Sequence, residues 1–139
     1  MTYTEVVEYL RTKAITLSPN CTFVHGKKPD ASLISTNMVY PLIWLAPFRE
    51  TVDRKKGNVD NQITIAFFAQ DNTENTLIQR QALIQTMYQL KEAYMISLRA
   101  GIPMVAEITN ESATPEYSQL GGYVSGYAVN FKFTSKTAC

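Results

Sequence analysis

DNTENTLIQRQALIQTMYQLKEAYMISLRA, residues 71–100, is the stretch whose reading decides the fold. It begins as helices begin. Asp71 with Glu74 three residues on matches a capping box, and Asn72 or Thr73 offers a cap one register later. It also ends as helices end, with Arg99 in the last turn, Gly101 suited to the left-handed position after a helix, and Pro103 forbidding continuation. At a rise of about 1.5 Å per residue the segment predicts a helix roughly 40 Å long, enough to cross a sheet from edge to edge. Leu77, Ile84, Met87, Tyr88, Tyr94, Met95 and Leu98, joined by Leu83 and Leu90, recur at steps of three and four and predict the buried face. Gln79, Arg80, Gln81, Gln85, Gln89, Lys91, Glu92 and Arg99 form the wet face. A polar face this rich in Gln and this poor in charge can meet solvent, or can be covered by another subunit without burying many ions.

The segment before the helix, Gln62 to Ala69, alternates Ile63, Ile65 and Phe67 with Thr64, Ala66 and Phe68, the period of a strand. Upstream, Met38 to Ala46 is almost continuously apolar and suits a central strand covered on both faces. Proline donates nothing to a ladder, so Pro41 marks a sheet edge or a bulge, or the strand proper begins only at Leu42. Between the two strands, residues 48–61 carry Arg49, Glu50, Asp53, Arg54, Lys55, Lys56, Gly57 and Asn58. They predict a long hairpin whose polar tip projects beyond the sheet, either as a solvated loop or as an arm that docks on a neighbouring subunit.

Nearer the N-terminus, Thr4 to Leu17 is expected to be a helix capped by Thr2 or Thr4, with Val6, Val7, Leu10, Ala14 and Leu17 inward. Ser18, Pro19 and Asn20 end it, and Thr22 to His25 is a short strand before the turn Gly26 to Asp30. After the long helix come a strand from Met104 to Thr109, a projecting turn over 110–119, and a last strand. In that strand Tyr123, Tyr127, Val129, Phe131 and Phe133 face the core, and the alternate residues are small or polar. Gly121, Gly122 and Gly126 allow a bend, a bulge or the close approach of another backbone, and Ser135 to Cys139 is expected to fray. The order implies one α+β domain over 1–139: a mainly antiparallel sheet of about five strands, the long helix across one face, and a second, N-terminal helix.

Composition narrows the function. Thirteen basic and twelve acidic residues leave a net charge of +1, which points to neither nucleic acid nor a strongly charged partner. Charged residues make up only 18% of the chain, below the usual quarter, a hint of surface meant to be covered by protein. Cys21 and Cys139 are read as free thiols, since two distant cysteines make neither a disulfide framework nor a metal site. The N-terminus lacks the pattern of a secretory signal and no stretch suits a membrane span, so a soluble protein of a reducing cytoplasm is expected. Catalysis has little to work with. His25 is the one histidine and reads as a polar strand end, the acidic residues are scattered, and the glycines near the C-terminus precede a strand where a phosphate loop would precede a helix. No enzyme, metal or cofactor is expected.

Taken together, Ile63-Thr-Ile-Ala-Phe-Phe-Ala-Gln-Asp71, the helix with Arg80 and Met87-Tyr-Gln-Leu90, and Gly122-Tyr-Val-Ser-Gly-Tyr-Ala-Val-Asn-Phe-Lys-Phe133 resemble the small tail-terminator and tail-completion proteins of tailed bacteriophages. The similarity covers most of the chain and lies in element order, lengths and texture. It implies a virion structural protein forming a ring with copies of itself, typically of six subunits, at the neck or the head-proximal end of the tail. Its partners would be the tail-tube protein and head-completion proteins, with DNA passing through the channel without sequence-specific binding and host cytoplasm as the place of assembly. A ring needs two unlike patches on each subunit. The candidates are Arg49, Asp53, Arg54, Lys55 and Lys56 on the hairpin, and Glu116 and Tyr117 in the 110–119 segment. An adaptor or head-closure ring protein of the same size is a second possibility. A non-viral α+β domain binding a small ligand between the long helix and the sheet is a third.

Overall fold

The computed structural model describes residues 1–27, 39–72, 74–101, 106–118 and 124–136. Among them are two helices, α1 (Tyr3–Leu17) and α2 (Leu77–Ala100), and strands β1 (Thr22–His25), β2 (Leu42–Leu45), β3 (Glu50–Asp53), β4 (Asn58–Gln70), β5 (Ala106–Ser118) and β6 (Val124–Lys136). The strands form one six-stranded sheet in the order β1-β2-β4-β6-β5, with β3 on β4 beyond this path. Every pairing is antiparallel except that of β1 with β2. This is the α+β architecture expected.

The spine of the sheet is the ladder of β4 and β6, paired without interruption from Asn58↔Lys136 to Gln70↔Val124. On the other side of β4, β2 covers Ile65 to Phe68 and β3 covers Asn58 to Asn61. Ala46 donates to the Thr64 carbonyl at 3.0 Å and Gln62 to the Arg49 carbonyl at 3.3 Å, so β2 and β3 act as one interrupted strand. The strand proper does begin at Leu42.

Period two then sorts the residues. Ile43, Leu45, Ile63, Ile65, Phe67, Val129, Phe131 and Phe133 share the face covered by the helices, where they meet Val6, Leu10 and Ala14 of α1 and Met87, Tyr94, Met95 and Leu98 of α2. Tyr94 joins both helices to the sheet. It is fully buried, its ring lies 5.3 Å from that of Phe67, and its hydroxyl donates to the Leu10 carbonyl at 3.0 Å. Tyr9 of α1 returns the bond, donating to the Leu98 carbonyl at 3.0 Å. Burial pushes the Tyr94 phenol far above the ordinary tyrosine range. The opposite face is less polar than its alternation implied: Leu42, Ala66, Phe68, Val124 and Ala128 form a second buried cluster.

Both helices start on a reciprocal cap. Thr2 accepts from the Glu5 N–H at 3.2 Å while Glu5 accepts from the Thr2 N–H, and Thr76 and Gln79 repeat the arrangement on α2. The long helix therefore starts five residues later than a cap at Asp71 implies, on Thr76. Asp71 is buried and serves as an anchor. Its carboxylate accepts from Arg80 at 2.7 Å, from Asn75 at 2.7 Å, from the Asn72 N–H at 2.7 Å and from the Ser125 hydroxyl. This bolts the start of α2 to β6. Burial alone would raise the carboxyl's pKa, but the bonds from Ser125, Arg80, Asn72 and Asn75 outweigh it and hold it below the usual aspartate value.

Several expectations on α2 are corrected. Lys91, placed on the wet face, is buried, because its ammonium sits over the Tyr88 ring at 4.5 Å and the Tyr127 ring at 5.3 Å and meets the Glu92 carboxylate. Leu77, placed inward, is 63% exposed, since the helix begins there, beyond the core. Gly101 ends the helix at φ −98, outside the left-handed region.

The projecting turn over 110–119 is also corrected, as far as Ser118. This segment belongs to β5, which pairs with β6 as far as Glu116↔Gly126. Its turn-forming residues are absorbed in two ways. Asn110 takes φ 56 at a bulge between Thr109 and Ser112, and Pro115 is tolerated because β5 is an edge strand. Ser135 and Lys136 stay in the ladder with Val59 and Asn58. The expectations for Lys28 to Asp30, Met38, Thr73, Pro103, Met104, Gln119, Gly121, Gly122, Tyr123 and Cys139 lie outside the described residues. Cys21 is free and half-buried, and burial raises its thiol pKa.

Two measurements check this frame. Gly126 approaches β4 so closely that a Cβ would fall 1.8 Å from the Phe67 carbonyl oxygen. Gly126→Ala should therefore cost about 3 kcal/mol in urea unfolding, and an unchanged midpoint would contradict the close approach. The Asp71 pKa is depressed on folding, so its stabilisation is complete above the unfolded-state value and disappears as pH falls through the folded one. Asp71→Asn should cost roughly 3 kcal/mol near neutrality. The gap from wild type should close below about pH 4, and a gap independent of pH would remove Asp71's charge from the account.

Candidate functional site

Glu-Thr-Val-Asp, residues 50–53, contains one apolar side chain, too little for sequence periodicity to mark a strand. Pairing with Val59 and its neighbours makes it one. The turn that follows is specified locally. The Asp53 carboxylate accepts from the N–H groups of Lys55 at 3.1 Å and Lys56 at 3.2 Å, and Gly57 takes φ 68, where a side chain would be strained. The result is a formed hairpin with Arg54, Lys55 and Lys56 at its tip. β3 is exposed along its whole length, including Val52.

The base of the hairpin is fixed to the rest of the fold. Phe48 stacks on Tyr3 at 4.2 Å between centroids, and the Tyr3 hydroxyl meets His25 Nε2 at 2.9 Å. His25 Nδ1 lies 2.9 Å from the Leu45 carbonyl. A carbonyl only accepts, so Nδ1 is the donor and, in the neutral ring, Nε2 accepts from Tyr3. The lone histidine is thus a hinge pin between α1, β1 and the root of the arm.

Clefts flank the arm on both sides. One, of about 380 Å³, is lined by Met1, Thr2, Tyr3, Glu50, Val52, Arg54 and Val59. The other, of about 220 Å³, lies among Asp53, Lys56, Asn58, Asp60, Glu107, Thr109, Lys132 and Thr134.

The residues singled out from sequence fall into two groups. Arg49, Asp53, Arg54, Lys55 and Lys56 come together on the arm, all exposed. Glu116 and Tyr117 lie on β5, at the far margin of the sheet, with β4 and β6 between. Tyr117 is exposed and Glu116 half-buried. The two margins differ in chemistry. β5 contributes Glu107, Glu111 and Glu116 without a basic residue; Glu111 is bound to Arg99 at 2.9 Å and Glu107 lines one cleft with Lys56 of the arm, which leaves Glu116 as the acid away from the arm. Its bulge and Pro115 discourage a further strand from pairing there, so contact on that side must run through side chains. β3 has neither protection. The hairpin expected from sequence contains Val52 and Glu50, but neither was singled out as an interface candidate, although Asp53 and Gly57 at the two ends of the turn already signal a tight hairpin.

No protein-family model matches the chain, and no curated protein matches it either. Among the described residues no helix is long and apolar enough to cross a membrane.

Asp53→Ala should release the tip alone. Amide exchange at Lys55 and Lys56 is expected to quicken while the global midpoint shifts by less than about 0.5 kcal/mol. Unchanged exchange at those two amides would contradict the role given to Asp53.

Proposed function

We propose that this chain is a non-catalytic structural subunit of a tailed-phage virion. It forms a ring, typically of six copies, at the neck or head-proximal end of the tail, where it ends tube growth, meets head-completion proteins and leaves a channel for DNA. The observation that carries the reading is the pairing of an exposed, basic-tipped arm at one margin of the sheet with an acidic, side-chain-only surface at the other. Two unlike patches on opposite sides of one subunit are what a head-to-tail interface requires, and such an interface closes into a ring when its rotation permits. The resemblance in element order to tail-terminator proteins supplies the virion context. The space between the long helix and the sheet, where a ligand-binding domain would place its pocket, is filled by Met87, Tyr94, Met95 and Leu98.

Replacing Lys55 and Lys56 together by Glu reverses the charge of the tip. Both side chains are exposed, so the thermal midpoint should hold. The assembled species in sedimentation velocity should decline, and assembly of the unaltered protein should weaken as salt rises. An unchanged assembly state in the double variant would remove the arm from the interface.

A further inference from the structure

The long helix carries four charged residues, Arg80, Lys91, Glu92 and Arg99, and each is engaged within the subunit. Arg80 is held by Asp71, Lys91 and Glu92 by one another, and Arg99 by Glu111 at 2.9 Å and the Ile108 carbonyl at 3.2 Å. What remains on the outer face is a stripe at steps of three and four: Ile78, Ala82, Gln85, Gln89, Ala93 and Ile96, every one of them exposed. Ile78 is 79% and Ile96 67% exposed, the two most exposed large apolar side chains among the described residues. The stripe has no charge along its length.

It also repeats when inverted. Ile78 and Ile96 lie at equal distances on either side of Met87, as do Gln85 and Gln89, with Ala82 and Ala93 nearly so. An antiparallel copy centred there would set isoleucine against isoleucine at both ends and glutamine against glutamine in the middle. Each Gln amide both donates and accepts, so a Gln pair satisfies itself. The alanines let the axes approach at the short end of the usual 8–10 Å. A two-fold contact demands a surface complementary to itself under this inversion; the stripe carries no charge of its own, and the Glu92 side chain that borders it is bound to Lys91.

We infer that the outer face of α2 binds a second copy of this chain, antiparallel, about a two-fold axis near Met87. The stripe from Ile78 to Ile96, about 27 Å by 10 Å, offers roughly 270 Å², about a third of the ~800 Å² per partner that a stable complex uses. The contact is therefore weak and reversible by itself. It is independent of the head-to-tail contact at the sheet margins.

Disulfide trapping tests it. In a background with Cys21→Ser and Cys139→Ser, chains bearing Ile78→Cys and chains bearing Ile96→Cys are mixed at high concentration and oxidised, with Glu8→Cys on α1 as an exposed control. The mixed 78–96 dimer should dominate, should persist when Lys55 and Lys56 are both replaced by Glu, and should be lost on adding Ala82→Arg with the thermal midpoint kept. Trapping no better than the control, a preponderance of 78–78 dimers, survival in Ala82→Arg, or loss in the arm variant would each overturn the inference.

Discussion

The structure depends on the burial of one side of α2 against the β4–β6 ladder, with Tyr94 at the centre. That side chain packs on Phe67 of the sheet and hydrogen-bonds the backbone of α1, so one residue sets the spacing of both helices over the sheet. The phenolic hydroxyl is satisfied there, which turns a costly buried donor into an orienting contact. The Asp71–Arg80–Ser125 cluster fixes the near end of the helix, and Arg99 with Glu111 fixes the far end. Between these points α2 has little freedom to slide.

The helix uses its charges as inward and lateral fasteners, which leaves its outer face neutral. The sheet, for its part, has two open margins of different character, a formed arm with a basic tip and an acidic strand interrupted by a bulge and a proline. Rigid inner packing and unlike outer surfaces are what a subunit needs if it is to keep its shape while being covered by copies of itself.

Much of this fold was legible in the sequence because period and burial agree. The alternation of Ile63, Ile65 and Phe67 placed the core face of β4, and the stripe of α1 appeared where Val6, Leu10 and Ala14 put it. The misreadings have physical causes. Asp71 looked like a helix cap because caps and buried anchors use the same carboxylate, and only the tertiary partners Arg80 and Ser125 tell them apart. Lys91 looked solvated because its burial depends on two rings, one of them on β6. Asn110 and Pro115 looked like a turn because an edge strand tolerates what a central strand excludes. The candidate surface was half legible. The arm followed from its charges and turn residues, but Val52 and the separation of the two patches across the sheet are products of pairing.

The proposed ring depends on these patches driving assembly. Light scattering of the purified protein across a range of concentrations, followed by negative-stain imaging of any large species, tests it most directly. Closed rings are expected, or a monomer that forms rings or tubes when concentrated or given a partner. A tight dimer that never grows would contradict the proposed ring.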